Sequence, residues 1–264
     1  MAAISNAVSE GRLAAIIGDF ARRLTAGVPA TRGLPYLGLE SASGSGTHLL
    51  DELSARGIFR KYELVLDVGD DLGATGRWLA ARLGCTAVVT AAGAEGIAAG
   101  RALTRRSRLS SQVRHVQTEA VALPFKYASF THAWIVETLP RLQDARTALA
   151  ELRRVVRPGG YLAVQDLVHR PDAAAPELPG WRFTTGVARQ ESLRSAGFVD
   201  VVARDVDDAS ERSAMVAAAR TELHAQLAAG TEPALASAVA ERGALAAMLA
   251  DGRLHVVQLF ARRP

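Results

Sequence analysis

The chain has little lysine, few aromatic residues and one cysteine, and each shortage excludes a class of protein. Lys61 and Lys126 are its only lysines, although 31 of its 264 residues are basic and its net charge is +4. The arginines are scattered among 27 acidic residues, which argues against a nucleic-acid surface. A lone Cys85 excludes a disulfide framework and a cysteine zinc site, and we predict no metal site.

The chain also lacks a long apolar run. None reaches the roughly 18 residues that a membrane span requires. The N-terminus shows no charged segment followed by an apolar block, so we expect no signal peptide and a soluble, cytoplasmic protein. Hydrophobic residues make up 49% of the chain and aromatic residues 5%, which predicts a large core built mainly from aliphatic side chains.

The most informative segment is a strand that runs into a glycine turn, LVLDVGDDLGATG at residues 64–76. The residues up to Asp67 are apolar and are flanked by breakers, which is typical of a buried parallel strand. Gly69 and Gly73 permit a tight turn and a close backbone approach. A helix predicted to begin at about Gly76 would point its free N–H groups at a ligand.

Strands and helices alternate after this turn, which indicates a parallel α/β sheet. Strands are predicted at Thr86–Thr90, Arg114–Thr118, Thr131–Val136, Tyr161–Leu167, Phe198–Arg204 and Leu254–Ala261. Helices are predicted at Gly93–Arg105, Ala145–Val156 and Arg189–Ser195, with Asp144 as an N-cap.

Several segments, in this order, resemble motifs of class I S-adenosylmethionine-dependent methyltransferases. Residues 64–76 look like the first motif of that family, and Val121–Phe130 looks like its "aLPF…aSFD" segment. Leu152–Gly160 is similar to its "vLrPGG" turn, and Ser195–Phe198 to the "aGF" before the sixth strand. Gly38–Gly46 and a late helical insertion resemble the sarcosine/dimethylglycine and tocopherol-type branch, which acts on small molecules.

The resemblance predicts an α/β fold: a Rossmann-like sheet of seven mostly parallel strands, with N-terminal helices and a helical insertion before the last strand. We expect one domain over residues 1–264. Its parts are an N-terminal helical cap (1–57), a core (58–206 and 253–264) and the insertion (207–252). Two alanine-rich segments, about Ala209–Ala228 and Pro233–Ala250, make the insertion too long for a loop.

The resemblance also implies S-adenosylmethionine as the cofactor and assigns residues to it. Asp67 corresponds to an acidic residue near the methionine part of the cofactor. Gly69 and Gly73 correspond to glycines that let the backbone lie close to it. Glu119 falls where the family places an acidic residue near the adenine amino group.

Two positions depart from the family pattern. Asp71 stands in place of the middle glycine, and its carboxylate would repel that of the methionine. At ~4 Å and an effective dielectric constant near 20, this repulsion is on the order of 4 kcal/mol. Ala92 stands where the family has an acidic residue that binds the ribose hydroxyls. These departures, in a degenerate cofactor motif, predict weakened cofactor binding.

Glu137 and His169 are the candidate catalytic residues. They fall at or just beyond the ends of the fourth and fifth predicted strands, on the ligand side of an open parallel sheet. His169 is suited to act as a general base near neutral pH, and a solvated loop histidine is the alternative interpretation.

The leading hypothesis is a methyltransferase that acts at N, O or C of a small metabolite. One alternative is a degenerate methyltransferase fold that no longer binds S-adenosylmethionine and serves as a non-catalytic partner or scaffold. Another is a natural-product enzyme in which the pocket has been repurposed, for example for cyclisation. A homodimer or a heterodimer with an active homologue stays open.

Overall fold

The computed structural model describes residues 54–69, 72–206, 225 and 233–264, and side chains at 233–239 are not described. The strands are β1 (Leu64–Val68), β2 (Thr86–Ala91), β3 (Val113–Gln117), β4 (Phe130–Val136), β5 (Val156–His169), β6 (Thr184–Thr185), β7 (Val199–Val206) and β8 (Leu254–Arg262). The helices are α1 (Ala74–Leu83), α2 (Ala94–Arg106), α3 (Ala145–Val155), α4 (Gly186–Ser195) and α5 (Pro233–Ala250), and a 3-10 turn covers Leu139–Arg141.

The strands form one sheet in the order β3-β2-β1-β4-β5-β8-β7, with the two-residue β6 beside β5. β8 runs antiparallel to β5 and β7, and the other pairs are parallel. The predicted Rossmann-like α/β class is therefore confirmed, with β6 as an eighth strand. The sequence did not predict β6, because a strand of two residues is too short to show a periodic pattern.

The observed helices begin earlier than predicted in two places, and each has a local cause. Gly73 adopts a φ of 69° and ends the glycine turn, so α1 begins at Ala74 and not at Gly76. The Thr185 side chain accepts a hydrogen bond from the Ala188 N–H and caps α4, which therefore begins at Gly186. The predicted Asp144 cap is confirmed, because its carboxylate accepts the Thr147 N–H at 2.9 Å.

The core on one face of the sheet is aliphatic, as the composition predicts. Leucine and valine side chains of β1, β5 and β8, together with Ile135 of β4, pack there against α3 and α4. Phe130 and Phe198 are the aromatic members of this buried cluster. Each fully buried leucine or valine contributes roughly 1.5–3 kcal/mol.

The opposite face holds α1 and α5. Trp134 is fully buried there, and its ring centroid lies 5.0 Å from that of Phe59. Leu245 and Met248 of α5 pack with Leu254 and Val256 of β8, so the second predicted segment of the insertion is a helix beside the sheet.

The predicted N-terminal helices and the first segment of the insertion lie outside the described residues. Within the described part of the chain, no helix is both long and apolar enough to cross a membrane.

Candidate functional site

The C-terminal ends of five parallel strands meet at one edge of the sheet, where open α/β sheets bind ligands. The structure brings to this edge the residues that the sequence predicts for the cofactor and the acceptor, namely Asp67, Gly69, Gly73, Ala92, Glu119, Glu137 and His169. Asp71, the remaining predicted position, lies outside the described residues.

The turn after β1 is closed by Thr138, which follows β4. Gly69 has a φ of 90°, and its N–H donates to the Thr90 carbonyl at 2.8 Å. A Cβ at Gly69 would collide with the Thr138 side chain. Thr138 itself donates to the Val136 carbonyl at 2.9 Å, so its hydroxyl is held against the turn. Glycine is therefore required at position 69 by both conformation and space.

The far side of the same turn rests on His115 of β3. A Cβ at Gly73 would collide with the His115 ring, which is buried. The ring is held by the Thr104 hydroxyl at 2.8 Å from Nε2, and the Arg101 guanidinium donates to the His115 carbonyl at 2.8 Å. His115 therefore supports the turn, a role that was not predicted from the sequence. The available signal was a histidine within a predicted strand.

Asp67 lies beneath the turn and is fully buried. The Thr75 hydroxyl, in the first turn of α1, donates to Asp67 Oδ2. A Cβ at Gly76 would collide with the Val89 side chain of β2 and lie 3.3 Å from that same oxygen, so Gly76 lets α1 pack directly over Val89 and the carboxylate. The N-cap of α1 is Gly73, and Arg77, also buried, donates to the Leu72 carbonyl of the turn.

The glycine turn and the N-terminus of α1 lie together at the ligand edge of the sheet. The start of a helix suits an anionic group, such as the carboxylate of the methionine part of S-adenosylmethionine.

The ends of β2 and β3 differ from the family pattern at Ala92, which offers no side-chain acceptor. The Gln117 side chain of β3 reaches across and donates to the Ala92 carbonyl at 3.0 Å. Glu95 is exposed in the first turn of α2, where its charge favours the helix dipole. Glu119 is exposed just after β3, and its carbonyl accepts the Ala122 N–H at 3.1 Å.

Glu137 follows β4 and is held in an unusual backbone conformation. Its φ is 53°, in the left-handed region that non-glycine residues rarely adopt. Its N–H donates to the Gln165 carbonyl at 2.7 Å, and Gln165 Nε2 donates to Glu137 Oε1 at 3.1 Å. Its exposed fraction is 7%, so the carboxylate is nearly enclosed at the ligand edge.

A buried ion pair supports the neighbouring strand. Asp166 of β5 is fully buried, and one of its carboxylate oxygens lies 2.5 Å from Arg189 Nε of α4. Burial raises the pKa of Asp166 to about 6, although the attraction of Arg189 opposes this shift. Because successive strand residues face opposite sides, Asp166 anchors α4 while Gln165 faces the other side of the sheet.

His169 ends β5 and lies apart from Glu137. It is four residues beyond Gln165, which is about 13 Å along the strand. Its Nδ1 lies 2.9 Å from the Arg170 carbonyl, which can only accept a hydrogen bond, so this nitrogen is the donor. The structure therefore does not bring the two predicted catalytic side chains together.

The loop between β5 and β6 forms a partly aromatic cavity at this edge. Its volume is about 500 Å³, and Leu178, Trp181 and Phe183 are among its lining residues. The Trp181 and Phe183 rings stack with centroids 5.5 Å apart. The Arg182 N–H donates to the Pro140 carbonyl at 2.7 Å and ties this loop to the segment after Glu137.

Other reactive side chains are accounted for by packing. Cys85 is buried, and burial raises the pKa of its thiol to about 12, which removes it as a nucleophile. Among the residues that the structure describes, no three His, Cys, Asp or Glu side chains cluster in a way that could hold a metal ion.

Comparison with known proteins gives a family match within the core. Residues 66–164 match the family model described as "Methyltransferase domain". Methyltransferase GfsG of Streptomyces halstedii is 29% identical over 132 residues, which cover 50% of this chain and 48% of that protein. O-methyltransferase cnsE of Penicillium expansum is 30% identical over 174 residues, 63% of each chain. The chain spans less than two thirds of the length of either relative.

Solved structures share the fold over most of the chain. The [4+2]-cyclase SpnF has a TM-score of 0.71 and 24% identity, covering 82% of this chain and 80% of that one. Geranyl diphosphate C-methyltransferase from Streptomyces coelicolor A3(2), in complex with Mg2+, geranyl diphosphate and S-adenosyl-L-homocysteine, has a TM-score of 0.62 and 16% identity. The match covers 82% of this chain and 78% of that one. At these identities, both likenesses show the fold alone.

Proposed function

Because the chain carries a class I S-adenosylmethionine-dependent methyltransferase domain, we propose that it transfers a methyl group from S-adenosylmethionine to a hydroxyl group of a small molecule. The observation that carries the proposal is the glycine turn after β1. Gly69 and Gly73 let the turn pack directly on Thr138 and His115, because a Cβ at either position would collide with these side chains. The N-terminus of α1 follows at once, so the turn and the helix start both lie at the ligand edge of the sheet.

The cofactor supplies an electrophilic methyl group when it is bound. Asp67, Gly69 and Gly73 would hold it at the turn, together with the N-terminus of α1. As the methyl group passes to the hydroxyl oxygen, the O–H bond breaks, and the Glu137 carboxylate is placed to accept the proton. The protein otherwise orients the acceptor and excludes water. Glu137 offers the acceptor a carboxylate at the end of β4, next to the turn. The cavity at Leu178, Trp181 and Phe183 suits the apolar part of the acceptor.

Two further observations support a hydroxyl-bearing acceptor. A carboxylate accepts a hydrogen bond from a hydroxyl group, and Glu137 is an enclosed carboxylate at this edge. One relative, cnsE, is named an O-methyltransferase. Among the described residues, no contact favours a non-catalytic scaffold.

Calorimetric titration with S-adenosylhomocysteine tests the cofactor part of the proposal. We expect binding by the wild-type protein with a dissociation constant in the micromolar range. Asp71→Gly combined with Ala92→Asp should bind more tightly by at least about tenfold, because the repulsion at position 71 disappears and a ribose acceptor is added. Asp70→Gly is the matched control, since it removes the adjacent carboxylate and leaves Asp71 in place.

Failure to bind up to millimolar ligand would contradict the proposed function. The acceptor part is tested by methyl transfer to a panel of small hydroxyl compounds, each paired with its own methyl ether. Transfer to the hydroxyl members and not to the ethers is the expected result. Transfer to neither class, with cofactor binding intact, would contradict the proposed acceptor.

A further inference from the structure

We propose that Gln165 and Gln258 are positioning residues, which hold the Glu137 carboxylate in one orientation toward the acceptor. The inference rests on the proposed function, because it concerns how the acceptor is received. It depends on a chain of three buried polar side chains that runs across β8 and β5 to the end of β4.

The chain of contacts is continuous. Gln165 and Gln258 are direct partners in the antiparallel pairing of β5 with β8. Gln258 Nε2 donates to Gln165 Oε1 at 3.2 Å, and Gln165 Nε2 donates to Glu137 Oε1 at 3.1 Å. The exposed fractions are 3% for Gln258, 1% for Gln165 and 7% for Glu137, so all three side chains are nearly enclosed and Glu137, at the ligand edge, is the most exposed.

The contacts have a direction. An amide carries acceptor and donor groups on opposite sides, whereas an ionised carboxylate only accepts. Because Gln258 donates to Gln165 Oε1, the Gln165 NH2 group faces Glu137. If the Gln165 amide were flipped, its oxygen would face the carboxylate and repel it. The Glu137 carboxylate and the Gln258 NH2 group therefore act together to hold the Gln165 amide in one orientation.

The backbone reinforces this arrangement. The Glu137 N–H donates to the Gln165 carbonyl, so both the main chain and the side chain of Glu137 are tied to one residue. A φ of 53° at Glu137 persists only where its surroundings hold it. Two glutamines within apolar strands would be unfavourable without hydrogen bonds, and here each one is used to orient the next group.

The first test observes the side-chain amides directly by 15N–1H NMR, with hydrogen exchange measured in D2O. We expect the Gln165 NH2 group to exchange at least about tenfold more slowly than that of Gln190, because it is buried and bonded to a carboxylate. Gln258→Met and Glu137→Gln should each move the Gln165 signal. Gln190→Met, the same change on α4, should leave it in place. Exchange of Gln165 as fast as that of Gln190, or a signal unmoved in Gln258→Met, would overturn the proposal.

The second test uses an acceptor found in the hydroxyl panel. Gln258→Met should lower kcat/KM about tenfold through misplacement of Glu137, with the affinity for S-adenosylhomocysteine unchanged. Gln258→Glu should lower it further, because the new carboxylate accepts only and competes with Glu137 for the Gln165 NH2 group. Thermal midpoints of all variants, with Gln190→Met as control, separate these losses from unfolding.

Unchanged kcat/KM in both Gln258 variants would overturn the proposal. A wild-type protein that binds no S-adenosylhomocysteine contradicts the proposed function, and the exchange measurement then decides the positioning of Glu137 independently.

Discussion

The turn after β1 and the turn after β4 lie side by side, and both place a residue at positive φ, but they do so with opposite chemistry. The β1 turn uses glycine at 69 and 73, where neighbouring side chains leave no room for a Cβ. The β4 turn places Glu137 at a φ of 53°. Thr138, the next residue, closes the β1 turn, so the two turns share one contact.

This difference separates two ways to build a binding edge. At the β1 turn, the proposed cofactor turn, the backbone packs directly on Thr138 and His115 because its glycines carry no side chain. At the β4 turn, the proposed acceptor turn, the unfavourable backbone of Glu137 is held by hydrogen bonds to Gln165 of β5, a strand that the Asp166–Arg189 ion pair anchors. We therefore expect the first turn to be sensitive to added atoms and the second to lost polar partners.

The largest effect is expected for Arg189→Met, which leaves Asp166 buried without its cation. The free energy of unfolding should fall by about 4 kcal/mol, as measured by urea denaturation, because a buried charge loses its partner. Arg194→Met on the same helix is the control. Its exposed pair with Glu191, at 3.8 Å, should contribute less than about 1 kcal/mol. Asp166→Leu added to Arg189→Met should recover most of the loss. Equal losses in the two single variants would show that the strand is not anchored by charge.

A slightly smaller effect is expected for Gly69→Ala. A positive φ and a collision with Thr138 together should lower the free energy of unfolding by about 3 kcal/mol and abolish binding of S-adenosylhomocysteine. Gly57→Ala is the control, because Gly57 has a φ of 68° with open space around it, so only the conformational part of about 1 kcal/mol applies. Similar losses in the two variants would show that the collision with Thr138 adds nothing to the cost of an alanine at position 69.

The smallest effect is expected from two substitutions that test the backbone conformation of Glu137. Glu137→Gly and Glu137→Ala both lose the carboxylate, so their difference reports the φ of 53° alone. The glycine variant should be more stable by about 1 kcal/mol in urea denaturation. At Glu191, inside helix α4, the alanine variant should instead be more stable than the glycine variant, by about 1 kcal/mol. The same order at both positions would mean that Glu137 is not strained.

The cofactor turn could be predicted from sequence and the acceptor turn only in part. Asp67, Gly69 and Gly73 lie within seven residues of one another, and their spacing carries the signal. Glu137 could be located because it ends a strand. Its partners could not, since Gln165 and Gln258 are 93 positions apart and meet only through the pairing of β5 with β8. Two glutamines among apolar strand residues were the available signal.

The sequence by itself determined the α/β class, the position of the ligand edge and the glycine turn, because apolar periodicity, breakers and glycine act over a few residues. Tertiary structure decided which side chains surround that edge. His115 and Thr138 are brought against the glycines, and Arg189 against Asp166, by strands and helices distant in the chain. Such contacts depend on register and crossover order, which local pattern does not encode.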